Sequence, residues 1–239
     1  MTPAHWMEVV FNLTYLVVIF GLVIAMSARL TEDRLQHRLR NGFLLLAVGD
    51  TGHVGFRVVA LLRGGLDSRA DVLGLSVPLV GIGALSTAIT VTLVYLLLLD
   101  TWRVRFGAAR TWWYWSLAAM AVVRFALFLA PQNEWGNVVP PWEWSVLRNV
   151  PLTILGLGVA ALMIRDGRRA GDATFTQLGW LIVGSYAFYL PVILFVQRVP
   201  PIGMLMIPKT LMYVAMAWLA YSRLFKPADV HPPRAATVP

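Results

Sequence analysis

The chain has 239 residues, 58% of them hydrophobic and only 13% charged, with a formal net charge of +8. A soluble domain carries about a quarter charged residues, so this composition excludes one, and it excludes a disordered or fibrous chain as well. There is no cysteine, which excludes disulfides, zinc–thiolate centres and thiol nucleophiles.

Seven apolar segments are predicted at 9–28, 42–62, 75–99, 112–131, 146–164, 177–197 and 203–225. Each is long enough to cross about 30 Å of hydrocarbon as a helix. Lipid gives the backbone no hydrogen-bond partner, so the expected fold is all-α, a helical bundle. Residues 1–225 form one seven-helix transmembrane domain, and 226–239, with Pro227, Pro232 and Pro233, form a flexible tail. The first segment does not read as a signal peptide. No basic residue precedes it, its apolar run is too long, and no small-x-small cleavage site follows.

Basic residues set the expected orientation. The links after segments 1, 3 and 5 hold Arg29, Arg34, Arg38 and Arg40, then Arg103, Arg105 and Arg110, then Arg165, Arg168 and Arg169. The tail region adds Arg223, Lys226 and Arg234, whereas the opposite side holds Arg63, Arg69 and Arg198. Thirteen against three predicts an outside N-terminus and a cytoplasmic C-terminus. Trp6, Trp135, Trp142 and Trp144 fall near the outer boundary and Trp102, Trp112, Trp113 and Trp115 near the inner one, as interfacial anchors do. The basic links therefore read as topology signals, and no nucleic-acid partner is expected.

Six ionisable residues fall inside or at the rim of these segments: Asp50, His53, Arg57, Arg124, Arg148 and Lys209. Such groups are costly in a bilayer and usually functional. At about 1.5 Å per residue, Asp50 lies roughly 12 Å from the inner end of its segment, with His53 near the middle. On the same scale Arg57, Arg124 and Lys209 lie about 8, 10 and 9 Å below the outer end. Arg148 sits at the outer rim.

Asp50, His53 and Arg57 follow i, i+3, i+7 spacing and share one helical face. Gly49, Gly52 and Gly55 form an adjacent stripe that would admit a close neighbouring helix. Three cations at one level face one clear anion, Asp50; Glu8, Glu134 and Glu143 near the outer edge are the available balance. Pro208 before Lys209, Pro151 beside Arg148 and Asn149, and Pro191 after Tyr189 are expected to break helices beside these charges. Lys209 on its long stem could instead snorkel outward. Ser86, Thr87, Thr90 and Thr92 read as helix-packing hydroxyls rather than ligands.

The stretches GDTGHVGFR, RFALFLAPQNEW, LRNVP, SYAFYLPVILF and GMLMIPKT resemble those of an uncharacterised family of bacterial seven-helix integral membrane proteins. The resemblance runs from the second segment to the last. It implies a bacterial inner-membrane, multi-pass protein and brings no activity with it.

Three functions fit these residues. The first is an outward-facing cationic pocket for an anionic small molecule or lipid headgroup, in a transporter or receptor. Arg57, Arg124, Arg148 and Lys209, with Asn149 and Tyr189, would hold a carboxylate or phosphate. Asp50 and His53 would couple binding to a proton or to helix movement. The second is an intramembrane enzyme acting on lipid, with Asp50 and His53 as acid and base. It lacks a serine nucleophile motif, and His53 alone among the histidines lies in a span, which leaves no metal ligand set. The third is a retinal-type photoreceptor or pump with a Schiff base on Lys209 and Asp50 as counter-ion. Binding is favoured over catalysis, and no cofactor is required by the first reading. The orientation is directly testable in this cysteine-free chain. A single cysteine at Ser68 should react with an impermeant thiol reagent from outside, and one at Ala109 should not; the reverse labelling inverts the topology.

Overall fold

The computed structural model describes residues 3–72 and 74–226. The predicted tail thus lies outside the described residues, apart from Lys226. Seven helices of fifteen residues or more account for most of the described chain: α1 (Pro3–Ser27), α2 (Arg34–Leu62), α3 (Leu79–Phe106), α4 (Trp112–Phe128), α6 (Val150–Arg169), α7 (Ala173–Phe195) and α8 (Met206–Ala220). A six-residue α5 (Trp142–Leu147) precedes α6. Six helical stretches, Val9–Ser27, Arg34–Leu62, Leu79–Phe106, Trp142–Arg169, Ala173–Phe195 and Pro200–Phe225, are long and apolar enough to cross a membrane. The seventeen-residue α4 is apolar but shorter.

Local chemistry explains where these helices begin and end. The Asp33 carboxylate accepts from the Leu35 amide and caps α2, so the helix starts inside the arginine-rich link rather than at 42. Asp172 caps α7 in the same way through the Phe175 amide. Gly107, at φ 60°, supplies the left-handed residue that stops α3.

The structure departs from the expected all-helical chain at 75–78. Leu75–Pro78 pairs antiparallel with Arg69–Val72, Ala70 opposite Val77 and Asp71 opposite Ser76. Pro78 holds the preceding Val77 in extended conformation, so α3 begins only at Leu79. The fifth predicted segment is also split. Arg148 ends α5 and Asn149 opens α6, with Pro151 in its first turn, where a missing N–H costs nothing. Pro208 falls likewise in the first turn of α8, after a 3-10 turn at Pro200–Leu205, and breaks no helix. Pro191 does lie inside α7.

The helices close into a ring. α1 touches α2 and α8; α2 packs on α3; α3 meets α4 and α6; α6 meets α7, and α7 meets α8. Ile19, Leu39, Tyr95, Leu99, Leu155, Met163 and Ile182 fill the interior. Val17, Ile24, Leu62, Val122 and Leu129 stand exposed on the exterior, a surface suited to lipid. At the arginine-rich end α3 is tied to its neighbours. Arg38 of α2 and Arg103 both bond Asp100, at 2.5 and 2.7 Å. The Trp102 indole donates to Asp166 of α6 at 3.0 Å, and Arg105 pairs with Asp172 at 2.7 Å.

The glycine stripe of α2 explains its closeness to α3. A Cβ on Gly49 would overlap the Thr90 side chain, and one on Gly52 would meet Ser86 Oγ. From α3, a Cβ on Gly83 would press on the backbone of Gly52 and His53 at 3.1 Å. Thr87 Oγ1 then donates to the Gly49 carbonyl at 3.0 Å, the packing role expected of these hydroxyls. Gly55 has no such neighbour, so the stripe ends at Gly52. Gly49→Ala should therefore cost about 1–3 kcal/mol through overpacking. Gly55→Ala should be neutral or slightly stabilising. Thermal unfolding of both variants in one detergent checks the contrast, which equal effects would remove.

Candidate functional site

Each of the seven long helices, or its cap, contributes a polar side chain to one interior network. Tyr15 comes from α1, Asp50 from α2, Tyr95 from α3, Arg124 from α4 and Asn149 from the start of α6. Tyr186 and Tyr189 come from α7, Lys209 and Tyr213 from α8.

Arg124 anchors it. Its residue is 2% exposed, its Nη2 donates to Asn149 Oδ1 at 3.2 Å, and its guanidinium carbon lies 5.2 Å from the Phe128 ring centroid. Its Nε and Nη1 are buried and donate to no protein acceptor. Asn149 is held in turn by its own Nδ2 donating to the Ser145 carbonyl at 2.7 Å. The Tyr189 hydroxyl donates to the same Oδ1 at 3.0 Å. One amide oxygen thus joins α4, α6 and α7.

The chain of contacts continues to the opposite side of the ring. Lys209 Nζ lies 5.2 Å from the Tyr189 ring centroid and 4.9 Å from that of Tyr213, close enough for both rings to stabilise the cation. The lysine is thus held against rings of α7 and α8 instead of snorkelling away. It is in electrostatic reach of Asp50. The Asp50 carboxylate accepts from the Tyr15 hydroxyl at 2.5 Å, which links α2 to α1. Tyr95 and Tyr213 hydroxyls meet at 3.4 Å in the centre, and Tyr186 donates to the Leu152 carbonyl at 2.8 Å.

Arg148 is placed differently from the sequence expectation of a ligand-facing group. It stacks 4.5 Å over Trp135, and its guanidinium donates to Asn133 Oδ1 at 3.3 Å and Ser145 Oγ at 3.4 Å. Those partners absorb it into the wall around Asn149, yet it remains in electrostatic reach of Arg124. His53 and Arg57 lie half-buried on the face of α2 that carries Asp50, and both are engaged by partners. The contacts above bring together Arg124, Asn149, Tyr189 and Lys209; Asp50 is in electrostatic reach of Lys209, and Arg148 of Arg124.

Charge in this network is unbalanced. Among the described contacts of this network three cations, Arg124, Arg148 and Lys209, accompany one carboxylate, that of Asp50, which is in electrostatic reach of Lys209. Glu134 is exposed and bonded by the Asn137 amide, and Glu143 is exposed, so neither enters the interior. The side chain of Glu8 lies outside those described. One cavity is bordered by Gly167 and Thr176 and another by Arg29 and Lys226, both at the arginine-rich end.

Tyr15, Tyr95, Tyr186 and Tyr213 are members that the sequence reading does not name; Tyr189 it does. Tyr186 and Tyr189 are three residues apart and Lys209 and Tyr213 four apart, so each pair shares a helical face. That spacing was the available signal. Tyr15→Phe should test the α1–α2 link. Removing the hydroxyl leaves a buried carboxylate short of a donor, at a cost of about 1–3 kcal/mol. The unfolding midpoint should fall accordingly, and an unchanged midpoint would show that the bond holds nothing.

Against this geometry, neither family models, nor curated proteins, nor solved structures show a match to the chain.

Proposed function

We propose that the chain is a seven-span membrane protein, N-terminus outside, whose interior network binds an anionic small molecule or lipid headgroup. The observation that carries this reading is Arg124. Its guanidinium stays protonated under all ordinary conditions, and burying it with two nitrogens unsatisfied is costly. A carboxylate or phosphate would supply the missing acceptors and offset the excess positive charge of Arg124, Arg148 and Lys209. Lys209 near the N-terminal end of α8 adds to the same field, since that end of a helix dipole is positive. Asp50, tied to Tyr15 and in reach of Lys209, is the group that would sense the anion's arrival and couple it to a proton or to the α1–α2 contact. Transport and reception both fit this chemistry.

A titration of purified protein against inorganic phosphate, succinate and phosphatidylglycerol tests it through the unfolding midpoint. At a hundredfold excess over the dissociation constant, the bound form gains about 2.7 kcal/mol. Arg124→Gln and Lys209→Met should each abolish the gain while leaving the empty protein as stable or more so, because each removes an uncompensated charge. Retention of the full gain in both variants, or unfolding of the empty Lys209→Met protein, would overturn the reading and make these residues structural partners.

The retinal-type reading has one observation in its favour, the electrostatic reach between Lys209 and Asp50 between two tyrosine rings. Visible absorbance that appears on adding all-trans retinal and is lost in Lys209→Met would replace the anion by a chromophore.

A further inference from the structure

We infer that the arginine-rich end carries a second binding site, for the phosphodiester headgroup of an anionic phospholipid, built from Arg29 and Lys226 around Tyr221. A cavity of about 510 Å³ opens there, bordered by Arg29, Thr31, Gln36, Leu224, Phe225 and Lys226. The two cations share one aromatic ring. The Arg29 guanidinium carbon lies 5.5 Å from the Tyr221 centroid and Lys226 Nζ lies 5.8 Å from it. Lys226 Nζ is also 5.5 Å from Trp218. Aromatic faces hold both side chains in place without neutralising them. Among the described residues neither cation forms an ion pair. In the same link Asp33 spends its carboxylate on the Leu35 amide, and Glu32 is exposed.

The frame of the cavity is fixed from three elements. Gln36 of α2 donates its amide to the Leu224 carbonyl at 2.7 Å, and its Oε1 accepts from the Thr31 amide and hydroxyl at 3.0 Å each. Leu224 belongs to a π-helical turn at Tyr221–Phe225, which widens the end of α8. Such turns are rare and recur at functional sites. The link after α1, the first turn of α2 and the end of α8 thus close on one space.

A lipid fits this space better than a free anion for two reasons. The cations stand at the ends of two helices apolar enough to cross a membrane, which is the level of headgroups. Trp218, 54% exposed beside Lys226, offers an interfacial ring against which an acyl chain can lie. The arginine fork and the lysine point charge then share one phosphate.

Native mass spectrometry of the full-length protein with equal phosphatidylglycerol and phosphatidylcholine tests the site. Phosphatidylglycerol should be retained preferentially. The preference should fall roughly fivefold for each cation removed, so that Arg29→Gln/Lys226→Gln brings it close to unity. The charge-keeping Arg29→Lys/Lys226→Arg pair should retain it, as should Arg168→Gln/Arg169→Gln, which removes equal charge from the same end. Equal loss in the two glutamine pairs, or no loss in the first, overturns the site. Complete displacement of phosphatidylglycerol by millimolar inorganic phosphate would overturn the lipid assignment. Arg124→Gln acts in the interior network and leaves the dependence on Arg29 and Lys226 intact, so the two proposals fail separately.

Discussion

A guanidinium buried among apolar helices is the constraint on which the centre of this bundle depends. Arg124 cannot shed its charge, and the interior offers it an amide oxygen and a phenyl face rather than a carboxylate. The amide oxygen must therefore be held with care. Asn149 is fixed because the α5–α6 break lets its Nδ2 reach the Ser145 carbonyl while its Oδ1 turns inward. Tyr189 shares that oxygen, and its ring flanks Lys209, so the placement of one cation propagates to the next. A single polar chain thereby links α4, α6, α7 and α8.

The two ends of the ring use charge in opposite ways. At the arginine-rich end Asp100, Asp166 and Asp172 each bond at least one arginine and hold α3 to α2, α6 and α7. These are saturated contacts, and they stiffen the bundle at the point where water is available to relax it. In the interior network, among the described contacts, the balance runs the other way, with cations outnumbering carboxylates and tyrosines as frequent neutral partners. Stiffness lies at one end and unmet valence in the middle.

Much of this was legible in the sequence, and the reasons differ by element. The long helices follow from apolar runs that no other structure can satisfy in lipid, and the intramembrane charges stand out because so few exist. Asp50, Arg124, Asn149, Tyr189 and Lys209 are named from position alone; Arg124 and Tyr189 share the Asn149 oxygen, and Lys209 lies against the Tyr189 ring. The contacts of Arg148 to Trp135 and Asn133 are not legible in the sequence, because both come from a loop whose path the sequence does not set. The Leu75–Pro78 strand reads as helix from sequence because Leu75, Val77 and Pro78 adjoin a spanning run, and only pairing with Arg69–Val72 distinguishes it. Tyr15, Tyr95 and Tyr213 were passed over since tyrosine inside a span is ambiguous until its hydroxyl has an address.

The shortness of α4 has a mechanical consequence. Seventeen residues rise about 26 Å, less than the roughly 30 Å of an average hydrocarbon core. If α4 crosses a bilayer with exposed Trp112, Trp113 and Trp115 at one interface, the deficit collects at the other end, where Arg124 and Leu129 lie. A bilayer meeting α4 there would have to thin, and headgroups and water would sink towards the guanidinium. Occupancy at Arg124 would then respond to the thickness of the surrounding membrane, with thin bilayers easing an anion's approach and thick, ordered ones sealing it off.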